Sequence, residues 1–196
     1  SFLRRHGRNI KTWNPRGISK LSTHPLEFIT SQRLKLDNTL DIYKGALEQE
    51  IYPRSESQIL WRLLVKEGWS FPYGLFNKIT DEDIIEVYLP KSSQFFANSK
   101  FMDLCSYDLS DLAAYSWPEL FDRDEEITKM MLDQISTTMM NRSKELSHFQ
   151  VPTHIGRERF SMERIALEIK MDVLCPLFDR QKNTVGYVST IKARQI

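Results

Sequence analysis

The sequence predicts an α+β protein: an antiparallel sheet with short helices and one long helix across one face, preceded by a helical hairpin and a basic arm. Three observations predict it. Residues 165–175 alternate Ile165, Leu167, Ile169, Met171, Val173 and Cys175 with Ala166, Glu168, Lys170, Asp172 and Leu174, the period of two that a strand requires. DRQKN (179–183) then turns the chain into TVGYVSTIKA, an antiparallel neighbour. Upstream, Leu36, Leu40, Tyr43, Leu47 and Ile51 recur at spacings of four, three, four and four, which is one face of a helix. Between these regions, IIEVYL (84–89) and SQFFA (93–97) form two short strands around a turn at Pro90–Ser92.

Taken in order, residues 1–25 make a basic extended arm, 26–80 a helical hairpin with its connector, and 81–196 the α+β domain. The first hairpin helix covers about 31–51 and ends at Pro53. Ser55 opens the second as a capping box with Gln58, Ile59, Leu60, Leu63 and Leu64 form its apolar stripe, and Gly68 sits where a helix exits through a left-handed residue. That stripe must be buried against the following domain or another chain. WSFPYGLFNKIT (69–80), aromatic and broken by Pro72 and Gly74, is a packed connector. ANSKFMDLCSYDLSDLAAYSWPEL (97–120) is too finely punctuated for one smooth helix, and reads as short helices, the first capped by the side-chain oxygen of Asn98. A long helix starts near Asp124, with Asp124, Glu125 and Glu126 at its positive end and Ile127, Met131, Ile135 and Met139 on its buried face. Residues 141–161, with His148, Pro152, His154 and Gly156, are polar and irregular.

A chain of 196 residues with 41% hydrophobic and 27% charged residues carries a full core. Its apolar runs are shorter than the roughly 18–20 residues of a membrane span. Cys105 and Cys175 have neither the number nor the spacing of a disulfide framework or zinc site, so they read as small buried hydrophobes in a reducing, intracellular compartment. Residues 1–36 hold eight Lys and Arg against Glu27, a net +7, which leaves −6 for the rest of a chain of +1 overall. Arg4, Arg5, Arg8 and Trp13 of the arm are candidate contacts to a partner or an anionic surface. An Arg-rich, acid-free start is equally what a processed organellar precursor would leave, which would place the chain in a chloroplast or mitochondrion rather than in nucleus or cytoplasm. The acidic body argues against direct nucleic-acid binding.

The segment from Asn98 to Asp124 resembles the PAS family of sensory and interaction domains. Asn98 matches the polar residue that ends the family's second strand, and Phe101 and Leu104 the inward positions of its first short helix. Tyr107, Leu112 and Trp117 match the run written "GY…EL…W", with Ser106 where the family often has glycine. PLFDRQKNTVGYV (176–188) matches the family's hairpin through Pro176, Leu177, Asp179, Val185, Gly186 and Val188. The resemblance implies helices laid over a sheet, with room for a ligand between them. Each motif position also has a packing explanation, so the motif is read as architecture and not as a reaction centre.

No flavin-type cysteine motif and no histidine on 124–144 is present, nor a P-loop, nucleophile elbow or metal-ligand spacing, so no cofactor, metal or catalytic residue is assigned and no enzyme is expected. Phe96, Phe101, Tyr115 and Met171 are the candidate pocket lining, and with Phe95 they supply bulk to fill it. Met130 and Met140 fall off the apolar stripe of the long helix and are candidate partner contacts. The expected function is a non-catalytic interaction module, a regulatory or scaffold subunit that binds protein partners or a second copy. The alternative is a ligand-sensing domain of a signalling or transcription-regulatory protein, which needs a cavity of about 300 Å³ or more. The terminal strand hairpin is the expected partner surface.

Overall fold

A computed structural model describes residues 15–48, 55–90, 93–140 and 145–196. Arg4, Arg5, Arg8 and Trp13 lie outside the described residues, as does part of the turn at Pro90–Ser92. Pro15, at a position where its missing N–H costs nothing, starts helix α1 (Pro15–Leu21), so this part of the expected extended arm is helical. Helix α2 (Leu26–Glu48) follows Pro25, and α3 (Glu56–Glu67) completes the hairpin. Ser55 has the extended backbone of a cap, but its hydroxyl bonds the Ser57 hydroxyl rather than a backbone N–H of the helix, so the predicted capping box with Gln58 does not form. Gly68 closes α3 at φ 68°, its N–H reaching the carbonyls of Leu64 and Val65. The connector is packed as expected: it carries α4 (Leu75–Lys78), with Leu75 buried, and Ser70 exchanges two 2.8 Å backbone bonds with Phe178.

Strands β1 (Ile84–Leu89) and β2 (Ser93–Ala97) fall where the apolar runs place them. Short helices α5 (Ser99–Leu104), α6 (Leu109–Ala114) and α7 (Trp117–Leu120) follow, then β3 (Phe121–Asp122) and the long α8 (Glu125–Met140). The chain ends with β4 (Ser147–His148), β5 (His154–Glu158), β6 (Ala166–Phe178) and β7 (Thr184–Gln195). The sheet runs β2-β1-β7-β6-β5-β3, every pair antiparallel, with β4 also on β6. The terminal hairpin thus completes the sheet through β7 on β1. The irregular reading of 141–161 is corrected by β4 and β5. Strand β5 buries Gly156 and Glu158 while Ile155 faces solvent, so it shows no apolar period to be read.

The alternation in β6 also departs from expectation. Met171 pairs with Ile191 but Leu174 with Ser189, so one extra residue is inserted between them, and the Val173 N–H donates to Thr190 Oγ1 at 3.1 Å. Leu167, Ile169 and Met171 therefore face the helices, whereas Val173 and Cys175 face the opposite side. On that side Val87 pairs with both Phe96 and Val188, and Val188 with Cys175. Tyr43 of α2 stacks on Phe96 at 5.9 Å, so the hairpin covers this face, where Val173, Cys175 and Leu177 are fully buried. The part of the expected partner surface after Met171 is covered by the chain's own hairpin, while Lys170 and Lys192 remain exposed. Glu56 of α3 seals the joint, accepting the Tyr43 hydroxyl at 3.2 Å and the Ser99 hydroxyl of α5 at 2.8 Å.

Asn98 occupies the cap position of α5 but makes no side-chain cap. Its side chain turns back to the start of β1, where Oδ1 accepts Ile85 N–H at 3.1 Å and Nδ2 donates to the Asp83 carbonyl at 2.8 Å. Tyr107 is buried and donates to the Leu120 carbonyl while accepting the N–H groups of Arg159 and Phe160, which ties the α5–α6 turn to β5. Ser106 needs no glycine conformation, and its N–H and hydroxyl both donate to buried Glu158, at 2.6 and 2.8 Å. Leu104, partly buried, and Leu112, buried, pack into the core with Phe101 and Trp117. Asp179 holds the hairpin turn by accepting Asn183 N–H at 2.8 Å and Nδ2 at 3.0 Å. Gly186 sits where an added Cβ would lie 2.3 Å from the Tyr88 carbonyl oxygen.

The described basic residues nearest the arm are used within the chain. Arg16 grips Asp111, which is fully buried, through Nε at 2.9 Å and Nη2 at 2.6 Å, and lies 5.3 Å from the Tyr107 ring centroid. Gly17 permits this approach, because a Cβ there would meet Ser110 Oγ at 2.3 Å and Asp111 N at 2.8 Å.

Gly186→Ala is expected to destabilise the fold by about 3 kcal/mol or more, read as a lower melting midpoint, because the clash is with backbone that cannot move without breaking the β1–β7 ladder. Gly17→Ala, or Arg16→Ala, is expected to release α1 so that limited proteolysis removes residues up to about 25 while the sheet stays protected. Proteolysis no faster than in the native chain would show that α1 docks by other contacts.

Candidate functional site

Strand β1 is buried on both faces, so its period of two divides it between two environments. Ile85 and Val87 lie under the hairpin. Ile84, Glu86 and Tyr88 face the helices, and there they line a cavity of about 50 Å³ between the sheet and α5, α7 and α8. Phe101, Leu167, Ile169, Met171, Met131 and Ile135 make its apolar wall. A polar pole is built at one end by Glu86, Tyr88, Tyr187, Ser189, Trp117 and Arg123.

Cross-strand pairing builds half of this pole: Glu86 is opposite Ser189 and Tyr88 opposite Tyr187, whose rings stack at 5.2 Å. Gln94 of β2 donates to Glu86 Oε1 at 2.9 Å and to the Tyr88 hydroxyl at 3.1 Å, and the Ser189 hydroxyl is 3.4 Å from Glu86 Oε2. Trp117 and Arg123 come from the other side, where the guanidinium carbon lies 5.1 Å from the Trp117 ring and 5.6 Å from the Phe121 ring. Three of the lining residues carry a buried polar atom with no hydrogen bond: Trp117 Nε1, Arg123 Nε and the Tyr187 hydroxyl. The indole N–H neighbours that hydroxyl and opposes its rise in pKa, without reaching hydrogen-bond geometry.

Burial dominates the electrostatics. It pushes the Glu86 carboxyl up to about 7, against the hydrogen bonds of Tyr88, Ser189 and Gln94 and the charge of Arg123. Burial, with Glu86 beside it, raises the Tyr88 phenol well above its ordinary value, and burial raises Tyr187 as well. Arg123 is lowered by burial. His154, its ring nitrogen against the Pro152 carbonyl at 3.1 Å, is lowered by burial and by Arg123. The Cys175 thiol is pushed up to about 12 by burial, as befits an inert core residue. Among the described residues no group of three or more His, Cys, Asp or Glu could hold a metal ion, and no helix is long and apolar enough to cross a membrane.

Of the expected lining, Phe101 and Met171 are in the wall of this cavity. Phe96 is not, because it points to the hairpin face, and neither is Tyr115, which stacks on Phe160 at 4.4 Å with Lys20 over its ring at 5.5 Å. Of the fold motif, Trp117 alone combines a packing role with an unpaired polar atom. Met130 and Met140 are exposed on α8, away from the buried Met131 and Ile135. Glu86, Tyr88, Arg123, Tyr187 and Ser189 were missed by the sequence reading. For Glu86, Tyr88, Tyr187 and Ser189 the signal is present: in IIEVYL and VGYVST, residues two apart are polar while their flanks are mostly apolar, so a strand buried on both faces must bury the polar ones.

The folded chain holds a proton on Glu86 that the unfolded chain releases near 4.5, so stability falls as pH rises from about 4.5 to 7 and levels off above. Glu86→Gln is therefore expected to raise the melting midpoint relative to the native chain by about 5 °C more at pH 8 than at pH 5. An equal difference at both pH values would show that folding does not raise the Glu86 pKa above its unfolded value.

No protein-family model matches the chain, and no curated protein does. Among solved structures it is similar to a sensory box sensor histidine kinase from Vibrio cholerae, with a TM-score of 0.40 and 14% identity over 71% of this chain and 97% of that one.

Proposed function

We propose that this chain is a non-catalytic, PAS-like regulatory module that senses a small molecule in its core cavity and reports occupancy through the helical hairpin. One observation carries it: three residues that line the cavity, Trp117, Arg123 and Tyr187, each carry a buried polar atom with no hydrogen-bond partner. Buried polar groups in a core selected only for packing find partners, because an unpaired one costs about 1–3 kcal/mol. Strand β1 supplies the coupling. Glu86 and Tyr88 face the cavity and Val87 faces the hairpin, so a ligand that shifts β1 shifts the layer holding Tyr43, Phe96 and Glu56. The PAS resemblance of Asn98–Asp124 and Pro176–Val188 supports the same reading.

A second reading, a scaffold subunit that docks on partner proteins, is favoured by the cavity's size. About 50 Å³ is far below the roughly 300 Å³ of a typical ligand site. Exposed Trp61 and Val65 on α3 and Met130 and Met140 on α8 would then be the contacts.

Native mass spectrometry of the purified chain, combined with hydrogen exchange, separates the two. Sensing predicts a bound species of low mass whose removal speeds exchange in Glu56–Glu67 by about tenfold. A ligand-free chain whose exchange is unmoved by small solutes, recovered with a stoichiometric protein partner, would sink the sensing reading in favour of the scaffold.

A further inference from the structure

The insertion in β6 leaves one stretch of sheet without a cover. Before it, β5, β6 and β7 turn Ile155, Arg157, Glu168, Lys170, Lys192 and Arg194 away from the cavity, and all but the partly buried Glu168 are exposed. These six residues carry four positive charges and one negative, a net +3 on a body whose residues 37–196 sum to −6. Register sets Lys170 directly opposite Lys192, and like charges so placed destabilise a sheet. The next rung shows the arrangement that folding favours: Arg194 Nε lies 2.6 Å from Glu168 Oε2. Among the described residues neither lysine has an ion pair. A pair that opposes the fold and finds no anion within it points to an anion from outside.

Charge and shape select the occupant. Two copies of this face would repel one another. None of its six residues is an aromatic on which a base could stack. Ile155, 55% exposed, lies within the sheet and not at a protruding tip that could enter a bilayer. The cations recur about 5 Å apart across strands and about 7 Å apart along them. Carboxylates three or four residues apart on a helix recur at about 5–6 Å, and apolar residues between them can cover Ile155. We propose that this open half of the sheet is the docking surface for an acidic amphipathic helix of a partner protein, its carboxylates on Lys170, Lys192 and Arg157 and its apolar stripe on Ile155. The surface is separate from the cavity, so its failure leaves the sensing reading intact and its success requires no guest.

The test is a ¹H–¹⁵N titration of the whole chain at about pH 7 with a capped peptide of four Glu-Leu-Ala-Glu repeats, compared with the same peptide carrying Gln for Glu. The expected result is a saturable shift of the Ile155, Arg157, Lys170 and Lys192 amides with the Glu peptide alone, at least tenfold weaker in Lys170→Glu. That variant is also expected to melt above the native chain, because it turns a like-charged pair into an opposite one. A lower midpoint would show that Lys170 serves the fold, and would overturn the argument from the lysine pair. Equal shifts from the Gln peptide would overturn the acidic partner, and shifts confined to residues 1–25, or none with either peptide, would overturn the surface. Tighter binding at the same residues by a thymidine oligonucleotide or by phosphatidylserine vesicles would overturn the partner class. Self-association through this face, read by sedimentation at low salt, would make the occupant a second copy and overturn the proposal.

Discussion

The pairing of β7 with β1 in the middle of the sheet is the constraint from which the rest of the architecture follows. A strand so placed has a neighbour on each edge and a layer on each face, so every second side chain must suit a different environment. Ile85 and Val87 require a cover, which the hairpin supplies, and Glu86 and Tyr88 are carried into the interior on the other side. Gly186 is required because β7 approaches the Tyr88 carbonyl too closely for a Cβ. Asn98 serves the same strand from its first residue, holding the N–H of Ile85 and the carbonyl of Asp83 in place of a helix cap. The ladder fixes the strand, and the strand fixes both the cavity and the seat of the hairpin.

The insertion in β6 divides the sheet in a way that serves both faces. Before it, Leu167, Ile169 and Met171 close the cavity, with Glu168, Lys170 and Lys192 left to solvent on the far side. After it, Val173, Cys175 and Leu177 face the hairpin. One extra residue lets a single long strand lend apolar surface to two cores, and restricts the hairpin to the half of the sheet that needs cover. The half of the face after the insertion is thereby internal, while Lys170 and Lys192 keep the other half open to solvent.

Charge is handled differently at the two ends of the molecule. At the N-terminal helix, Arg16 and Asp111 form a bidentate pair in which the buried carboxylate is fully matched. In the cavity, Arg123 and Glu86 feel one another without contact, and Arg123 Nε, Trp117 Nε1 and the Tyr187 hydroxyl stay unpaired. The first arrangement fastens a helix. The second leaves hydrogen-bonding capacity unused in the interior, which a core built only for packing tends to avoid.

Local pattern determined most of the elements: the helical stripe of Ile59, Leu60, Leu63 and Leu64, the strands at 84–89 and 93–97, the stripe of Met131 and Ile135, and the terminal hairpin all have strong periods that tertiary contacts only reinforce. Phe101 and Met171 were legible as cavity wall for the same reason. Strand β5 was not, because Gly156 and Glu158 are its buried side and leave no apolar rhythm. Nor was the switch of face in β6, since an insertion leaves composition unchanged and shows only in the register. The polar pole was decided by the tertiary structure alone: Glu86 comes from β1, Trp117 from α7, Arg123 from the connection between β3 and α8, and Tyr187 from β7, and only sheet register and the fold of α7 over it bring these residues to one cavity. Periodicity is a property of neighbours along the chain, whereas a site is a property of neighbours in space.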